Sequence, residues 1–234
     1  MSVERAAQAA SLARTRRDER FAHLDVLRGV ALFGILFVNL TWFTGWAVLG
    51  VAEPAAFEPT RCDLRASALI HFLVEGKFYT LFSILFGIGF ALVEQRCAAL
   101  GIPLRPFFVR RMGALFLIGF AHATLLWFGD IVSLYAVTGL ALLWFAGRPD
   151  RTVLLASLVL LGSPLVLYPI WFLIPAGEPG YGPASLLPVF GTGTWPEIVR
   201  ANWSFLTERW WLALYSLRFP KLLGAFLLGL WLVR

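Results

Sequence analysis

Two apolar stretches of the chain carry polar side chains whose spacing could support proton transfer. In the stretch LDVLRGVALFGILFVN, Asn39 lies within about 40° of Asp25 and about 20° of Arg28 on an α-helix, so all three share one face. In a second stretch, Arg111 and His122 are eleven residues apart and also share a face. Each stretch has a charged group near one end and a neutral polar group roughly 17–21 Å further along. Histidine is the side chain best suited to exchange protons near neutral pH.

Each of these polar groups also has a purely structural interpretation. Asp25 and Arg28 are spaced to form a salt bridge along one helix, and Asn39 could satisfy a hydrogen bond between helices. His122 could stay neutral and bond a helix carbonyl. Asp130 follows shortly afterwards, where an acid can cap the next helix. The spacing leaves both interpretations open, and the functional one takes His122, Asn39 and Asp130 as catalytic candidates.

The substrate-binding candidates are Arg28, Arg111 and Asp25, with weaker signals from Lys77 and Tyr135. Ordinary contacts between helices are the simpler explanation for the last two. No spacing typical of a metal site, a nucleophile elbow or a phosphate-binding loop is found in the sequence. No permanently bound cofactor or metal is therefore expected.

The elements that must position these residues are predicted to be membrane helices. Hydrophobic residues make up 59% of the 234 residues, above the roughly 45–50% of a soluble domain. The mean hydropathy is +0.75. No alternating pattern of a β-barrel is found, so we expect an all-α polytopic membrane protein with about six transmembrane helices. The apolar blocks are Leu24–Gly50, Gly76–Val93, Arg111–Phe128, Ile131–Gly147, Val153–Pro175 and Phe219–Val233.

The positive charges predict the orientation in the membrane. The net charge is +6, and arginines concentrate in residues 1–20 and in the connections after the second and fourth blocks. The first loop on the other side has only Arg61 and Arg65, which nearby acids offset. The positive-inside rule then makes residues 1–20 a cytoplasmic basic arm and residues 21–234 a transmembrane domain. Because this use explains the charge, nucleic-acid binding is not expected.

Shorter elements are expected at the outer surface. Residues 63–75 are predicted to form a surface helix, which Gly76 separates from the second span. Residues 176–218 form an outer loop followed by an interfacial helix, which a capping box at Thr194 and Glu197 starts. A tryptophan-rich stripe should lie along that helix: Trp203, Leu206, Trp210, Leu214 and Leu217.

Two further expectations concern helix geometry and the end of the chain. Pro164 and Pro169 predict a kink in the fifth span, while Gly87 and Gly89 would let a neighbour approach the second span closely. The last apolar block reaches Arg234 after few residues, so we expect a truncated last span in the N-terminal part of a longer bundle.

Three quoted motifs resemble the YeiB-type family of bacterial inner-membrane proteins: LDVLRGVALFGILFVN, EGKFYTLFSILFGIGFAL and RRMGALFLIGFAHATLLWFGDIVSLYAVTGL. The resemblance covers roughly residues 20–147 and implies a multi-pass protein of the inner membrane. That family is distantly similar to transmembrane acyltransferases, including heparan-α-glucosaminide acetyltransferase, which share the Leu-Asp-x-x-Arg-Gly opening and the closing Val-Asn. The resemblance implies an active-site role for Asn39. The acetyltransferase has a histidine soon after that Asn, but here none occurs before His71, so His122 would take its place.

Two functions can be argued from these residues, and a third, a purely structural role in an envelope complex, also stays open. The first is acyl transfer from a cytoplasmic donor, such as acyl-CoA, to a sugar or lipid acceptor at the outer side. The second is transport or export of a small solute or lipid head group, with His122 and Asp130 as protonatable gates. The lipid bilayer is the expected partner, and a homo-oligomer is compatible with the sequence.

Overall fold

The computed structural model describes residues 3–44, 59–172, 187–215 and 217–234, and every regular element within these ranges is helical. These elements include a π-helical turn over Ile70–Val74 and a 3₁₀ turn over Ala141–Trp144. The predicted helical membrane protein is therefore confirmed. The helices are α1 (Val3–Phe43), α2 (Arg61–Leu69), α3 (Lys77–Leu100), α4 (Leu104–Leu125), α5 (Val132–Leu140), α6 (Asp150–Phe172), α7 (Leu187–Thr192), α8 (Trp195–Tyr215) and α9 (Arg218–Val233).

Four helical segments in the described ranges are long and apolar enough to cross a membrane: Ala22–Phe43, Arg61–Leu100, Leu104–Leu125 and Asp150–Pro169. The second of them is interrupted at Gly76, where φ is +78°, so α3 supplies the crossing and α2 is a separate short helix as predicted. The predicted fourth and sixth spans correspond to shorter apolar helices, α5 with its 3₁₀ turn and α9.

The centre of the bundle is α9, which packs between α3 and α6 and also contacts α5 and α8. Its residues Leu222, Phe226, Leu227 and Leu230 are at most 1% exposed. Because protein surrounds this helix, its 16 residues need not match the thickness of a bilayer by themselves.

The α3–α9 crossing depends on glycine from both helices. A Cβ atom on Gly87 would overlap the carbonyl oxygen of Phe226, and one on Gly229 would overlap the carbonyl oxygen of Ile84. Small residues that let backbones approach are typical of membrane helix interfaces. The prediction that Gly87 admits a neighbouring helix is confirmed, whereas Gly89 makes room for the guanidinium of Arg28 instead.

The first helix is much longer than its apolar block. It runs unbroken from Val3 to Phe43, so residues 3–20 of the predicted basic arm are helical and continuous with the span. α1 packs on α3 and on the π-helical turn. Gly34 allows this packing, because the ring of Phe78 occupies the space that a side chain at residue 34 would need.

The start of the third span was predicted seven residues too late, at Arg111 instead of Leu104. α3 ends at Leu100 and is followed by Gly101, which has a left-handed backbone. Pro103 then precedes the first turn of α4 at Leu104. Arg111 therefore lies two turns inside α4 instead of at its end. The prediction was wrong because it began the span at Arg111 and counted Arg105 and Arg110 in the connection before it.

In the C-terminal third, the start of α8 agrees with the prediction, and the helix has a buried face that was not predicted. α8 begins where predicted, at Trp195, and the backbone N–H and hydroxyl of Thr194 hold the pKa of the Glu197 carboxyl below its usual range. Of the predicted stripe, Trp203 is 55% exposed, Leu206 is buried, and Leu217 lies beyond the helix. The buried residues of α8 are Ala201, Asn202, Phe205, Leu206 and Ala213.

The loop predicted from residue 176 lies outside the described residues up to position 186, and its last part forms α7. Both prolines of the fifth span lie inside α6, which continues through them to Phe172.

Candidate functional site

Three cavities lie in a row along the cleft between α1, α3, α4 and α5. The first, here called the mouth cavity, measures about 670 Å³ and is lined by Arg28, Gln95, Arg96 and Arg111 among others. The second, the middle cavity, measures about 370 Å³ and has mainly aromatic and aliphatic walls. The third, the His122 cavity, measures about 270 Å³ and is lined by Asn39, His122 and Asp130 together with apolar residues.

These cavities adjoin one another because they share walls. Arg28, Gly89 and Arg111 line both the mouth cavity and the middle cavity. Phe82, Ile131 and Val132 line both the middle cavity and the His122 cavity. The three cavities thus form a row, here called the track, that runs from the two arginines to the histidine.

The arginine end of the track is strongly basic. Arg28 Nη1 lies 2.7 Å from Asp25 Oδ1, as the spacing predicted, and the Arg28 side chain remains 38% exposed. Within the part of the chain that the structure describes, Arg111 forms neither an ion pair nor a hydrogen bond. A charged residue inside a membrane helix normally faces a partner or a wet cavity. This end of the track is therefore suited to an anionic group.

The other end contains a histidine–aspartate pair. The Nδ1 atom of His122 lies 3.3 Å from Asp130 Oδ1, within ion-pair distance but not aligned as a hydrogen bond. The Asp130 side chain is 1% exposed. Its Oδ2 atom accepts hydrogen bonds from the backbone N–H and the hydroxyl of Ser133, at 2.8 and 2.7 Å. Asp130 thereby caps the first turn of α5, as predicted, and holds one oxygen toward the imidazole.

The α4–α5 hairpin brings this pair together. A Cβ atom on Gly119 would overlap the backbone nitrogen of Ser133 and lie 3.0 Å from Asp130 Oδ2. Glycine at this position therefore lets the start of α5 lie directly on α4, one turn before His122.

Asn39 faces the same cavity from α1. Its side chain is half-buried, and its amide makes no hydrogen bond to any residue in the described ranges. Beyond it, aromatic contacts join α1 to the α4–α5 turn, with ring centroids 4.8 Å apart for Phe43 and Trp127 and 6.3 Å apart for Trp42 and Phe128. These contacts close the cleft at the Asn39 end.

The remaining sequence candidates lie in different places. Tyr135 lines the middle cavity, is buried, and shares a hydrogen bond of 2.7 Å with the Ser83 hydroxyl. Lys77 lies at the surface, where its Nζ atom is 3.4 Å from the carbonyl oxygen of His71, and it lines none of the three cavities. Asp25 is also exposed and reaches the track only through Arg28.

Asn202 is a residue that the sequence interpretation missed. It is fully buried, although α8 was expected to lie at the membrane surface. Its Oδ1 atom accepts the backbone N–H of Phe128 at 3.2 Å, and its amide donates to the Thr124 carbonyl at 3.3 Å. Asn202 therefore ties α8 to the turn that carries Asp130. Its burial was not predicted, because the stripe predicted for α8 is centred on a different face of the helix.

No group of three or more potential metal ligands occurs in the described part of the chain. Cys62 is exposed, Cys97 is buried, and neither forms a disulfide.

The chain has relatives among curated proteins. It is 40% identical over 159 residues to the Uncharacterized protein YxaH of Bacillus subtilis, a match covering 65% of this chain and 40% of the relative. It is 37% identical over 144 residues to an uncharacterized 39.9 kDa protein of Bacillus acidopullulyticus, covering 62% and 39%. To the Uncharacterized protein YeiB of Escherichia coli it is 36% identical over 123 residues, covering 52% and 30%.

The chain thus spans two fifths or less of the length of these relatives. No family model and no solved structure matches it. The resemblance to YeiB-like proteins is confirmed, but none of these comparisons includes an acyltransferase.

Proposed function

We propose that this protein is a membrane acyltransferase that moves an acyl group along the track from a donor at Arg28 and Arg111 to an acceptor at His122. The observation that carries the proposal is the row of adjoining cavities in the track, with cationic side chains at one end and Asn39, His122 and Asp130 at the other. This arrangement separates the binding of an anionic carrier from the place where a proton must be removed.

The donor in this proposal is a phosphate-bearing acyl thioester such as acyl-CoA. Arginine suits phosphate groups because its planar guanidinium presents several N–H donors at once. Arg28 and Arg111 both face the boundary between the mouth cavity and the middle cavity. The phosphates would stay there, and the thin acyl-bearing arm would extend through the apolar middle cavity.

The acid–base chemistry is assigned to the far end. The imidazole of His122 accepts the proton of an acceptor hydroxyl or amine as that group attacks the acyl carbon. Asp130, which faces Nδ1 of the ring at 3.3 Å, favours the tautomer that leaves Nε2 free and stabilises the imidazolium. The amide of Asn39 donates a hydrogen bond to the oxyanion. Collapse of the intermediate breaks the C–S bond, and the thiolate takes the proton from His122.

The proposed orientation follows from the arginines. Residues 1–20 carry five of them, and Arg96 and Arg111 lie at the same end of the bundle as Arg28. With this end in the cytoplasm of a bacterium, the donor would come from the cytoplasmic pool and His122 would lie nearer the outer face of the inner membrane.

Donor binding can be tested with a pair of adjacent residues. We expect purified protein in detergent to bind CoA in calorimetry, and Arg111→Gln to weaken that binding roughly tenfold or more because a phosphate partner is lost. Arg110→Gln is the control, since Arg110 is exposed and lines none of the cavities. Equal effects of the two variants would contradict the assignment.

The reaction itself is tested in vesicles that contain the protein, acyl-CoA and mixed acceptors. Product formation should fall by about 10²–10⁴ in His122→Gln, whose side chain is not a general base. Movement of a solute or lipid across the vesicle membrane without any acylated product would instead favour the transporter alternative and overturn the proposal.

A further inference from the structure

We infer that the acceptor is an amphiphile that enters the His122 cavity sideways from the bilayer, between α1 and α4, and presents one hydroxyl or amine to His122. The inference rests on the proposed function and narrows its acceptor to the lipid class. It is carried by the walls of the cavity, by the surface on either side of His122, and by the way α1 and α4 are packed.

The walls of the His122 cavity are mostly apolar. Apart from Asn39, His122 and Asp130, they consist chiefly of aliphatic side chains, aromatic rings and glycine. A free sugar would bring several hydroxyls into this space and lose their water partners without replacement. A lipid with one hydroxyl would need a partner for that group alone, and the rest of its body would match the walls.

The histidine lies at the edge of an exposed apolar surface. Its side chain is 41% exposed. On α4, Ile118 and Leu125 are the neighbours one turn before and after it on the side away from the core, and they are 65% and 42% exposed. On α1, Leu36 is 45% exposed and adjoins Asn39 in the same way. Both rims of the opening are therefore apolar, as a boundary with acyl chains requires.

Helix packing leaves this side of the cleft open. α1 packs mainly against α3 and the π-helical turn, whereas α4 packs mainly against α5 and α8. The aromatic contacts of Trp127 and Phe128 with α1 close only the end of the cleft beyond Asn39. A gap thus remains beside His122, at the level of the exposed rims.

The two ends of the track therefore bind ligands that arrive from different environments: the mouth cavity from water, and the His122 cavity from the bilayer. The mouth cavity is lined by Arg28, Gln95, Arg96 and Arg111, which are suited to water and a charged donor.

In the transfer step, the hydroxyl oxygen of the lipid bonds to the acyl carbon and the C–S bond breaks. The hydroxyl proton passes through His122 to the leaving thiolate. The ester product is less polar than the acceptor and can return to the bilayer through the same gap.

A photo-crosslinking experiment tests this inference. The protein is reconstituted in phosphatidylcholine vesicles that contain a diacylglycerol with a diazirine in one acyl chain, and labelled peptides are identified by mass spectrometry. We expect labelling of α1 and α4 beside Asn39 and His122. Unlabelled diacylglycerol should compete with the probe, whereas triacylglycerol, which has no hydroxyl, should compete several-fold less.

A matched pair of variants tests the entrance. Ile118→Trp adds a large ring at the rim and should lower cavity labelling several-fold. Leu117→Trp makes the same change at the neighbouring position, which is 68% exposed but turned about 100° further from the cavity, and should leave labelling unchanged. Equal competition by triacylglycerol, or equal labelling of the two variants, would overturn the inference.

The same vesicles distinguish this inference from the function on which it rests. With acyl-CoA present, acylation of water-soluble glucosamine but not of diacylglycerol would keep the acyltransferase and overturn the lipid acceptor. Labelling that depends on the hydroxyl, without any acylated product, would support the lateral binding site and overturn the acyltransferase.

Discussion

Asp130 is held more firmly than His122 and Asn39, the other two groups of the candidate site. Both of its carboxylate oxygens are engaged in different ways, one with two hydrogen bonds from Ser133 and the other facing His122 Nδ1 at 3.3 Å. Its side chain is almost completely buried, so moving it would cost the cap of α5 as well as the contact with His122. A rigid acid beside a half-exposed histidine is the arrangement expected of a positioning residue and its base.

Replacing Asp130 with Asn separates its role as the cap of α5 from its role as the negative charge facing His122. The amide oxygen can still accept from Ser133, but the negative charge facing His122 is lost. We expect the rate of acyl transfer to fall by roughly 10²–10⁴, with little change in KM or in thermal unfolding. Asp130→Ala is the comparison, because it removes the cap as well and should also lower the unfolding temperature. A large loss of stability in Asp130→Asn would mean that the charge serves the fold and not the chemistry.

At the scale of the helices, the site depends on how neighbouring elements are fixed. α3 supplies one wall of the track, and its position is set by its crossing with α9 at Gly87 and Gly229. The α4–α5 turn supplies Asp130, and α8 fixes that turn through Asn202. Neither α8 nor α9 lines the three cavities of the track, yet both determine where its walls lie.

Gly87→Ala tests the α3–α9 crossing. A Cβ atom there would overlap the Phe226 carbonyl, which is backbone and cannot move aside, so we expect a loss of about 1–3 kcal/mol of stability. Gly113→Ala is a matched control in α4, because nothing lies within 4 Å of its Cβ position. That change should be neutral or stabilise by up to about 1 kcal/mol. Unfolding in detergent measures the stability of both variants. Equal stability would contradict the close backbone packing at the α3–α9 crossing.

Asn202→Leu tests the link between α8 and the α4–α5 turn. The substitution leaves the Phe128 N–H and the Thr124 carbonyl without their partner, at a cost of about 1–3 kcal/mol for each buried group. Hydrogen exchange should accelerate at residues 127–130, and Trp203→Leu at the exposed neighbouring position should leave it unchanged. Unaltered exchange in Asn202→Leu would show that the turn is fixed by other contacts.

The sequence predicted some of these elements well for physical reasons. Apolar runs gave the helices, and the helical period placed Asn39 and His122 on faces that the structure turns toward one cavity. The depth of Arg111 was missed because hydropathy alone cannot tell an arginine outside a span from one that faces a cavity inside it. The buried face of α8 was missed because Asn202 and Ala201 give no hydrophobic signal, although tertiary packing buries both.

For the molecule as a whole, orientation in the membrane decides which substrates can reach each end of the track. Cys62 is exposed at the start of α2, and Cys97 is buried in α3 near the arginine end. The two cysteines therefore differ in both accessibility and position.

We expect a membrane-impermeant maleimide added to intact spheroplasts to label Cys62, because the proposed topology places α2 outside. Cys62→Ser should abolish the labelling, since Cys97 is only 5% exposed. Labelling of Cys62 only after the membrane is permeabilised would reverse the topology and with it the direction of transfer.

Whether α1 and α4 turn their polar faces to one space can be measured directly by crosslinking. In a chain with Cys62 and Cys97 replaced by Ser, the substitutions Asn39→Cys and His122→Cys are introduced. The protein is treated with a short bifunctional thiol reagent, and intramolecular links are identified by mass spectrometry. Because Asn39 and His122 line the same cavity, we predict an efficient link between them and little between position 39 and a cysteine at Leu117. A link from position 39 to position 117 but not to position 122 would contradict the shared cavity.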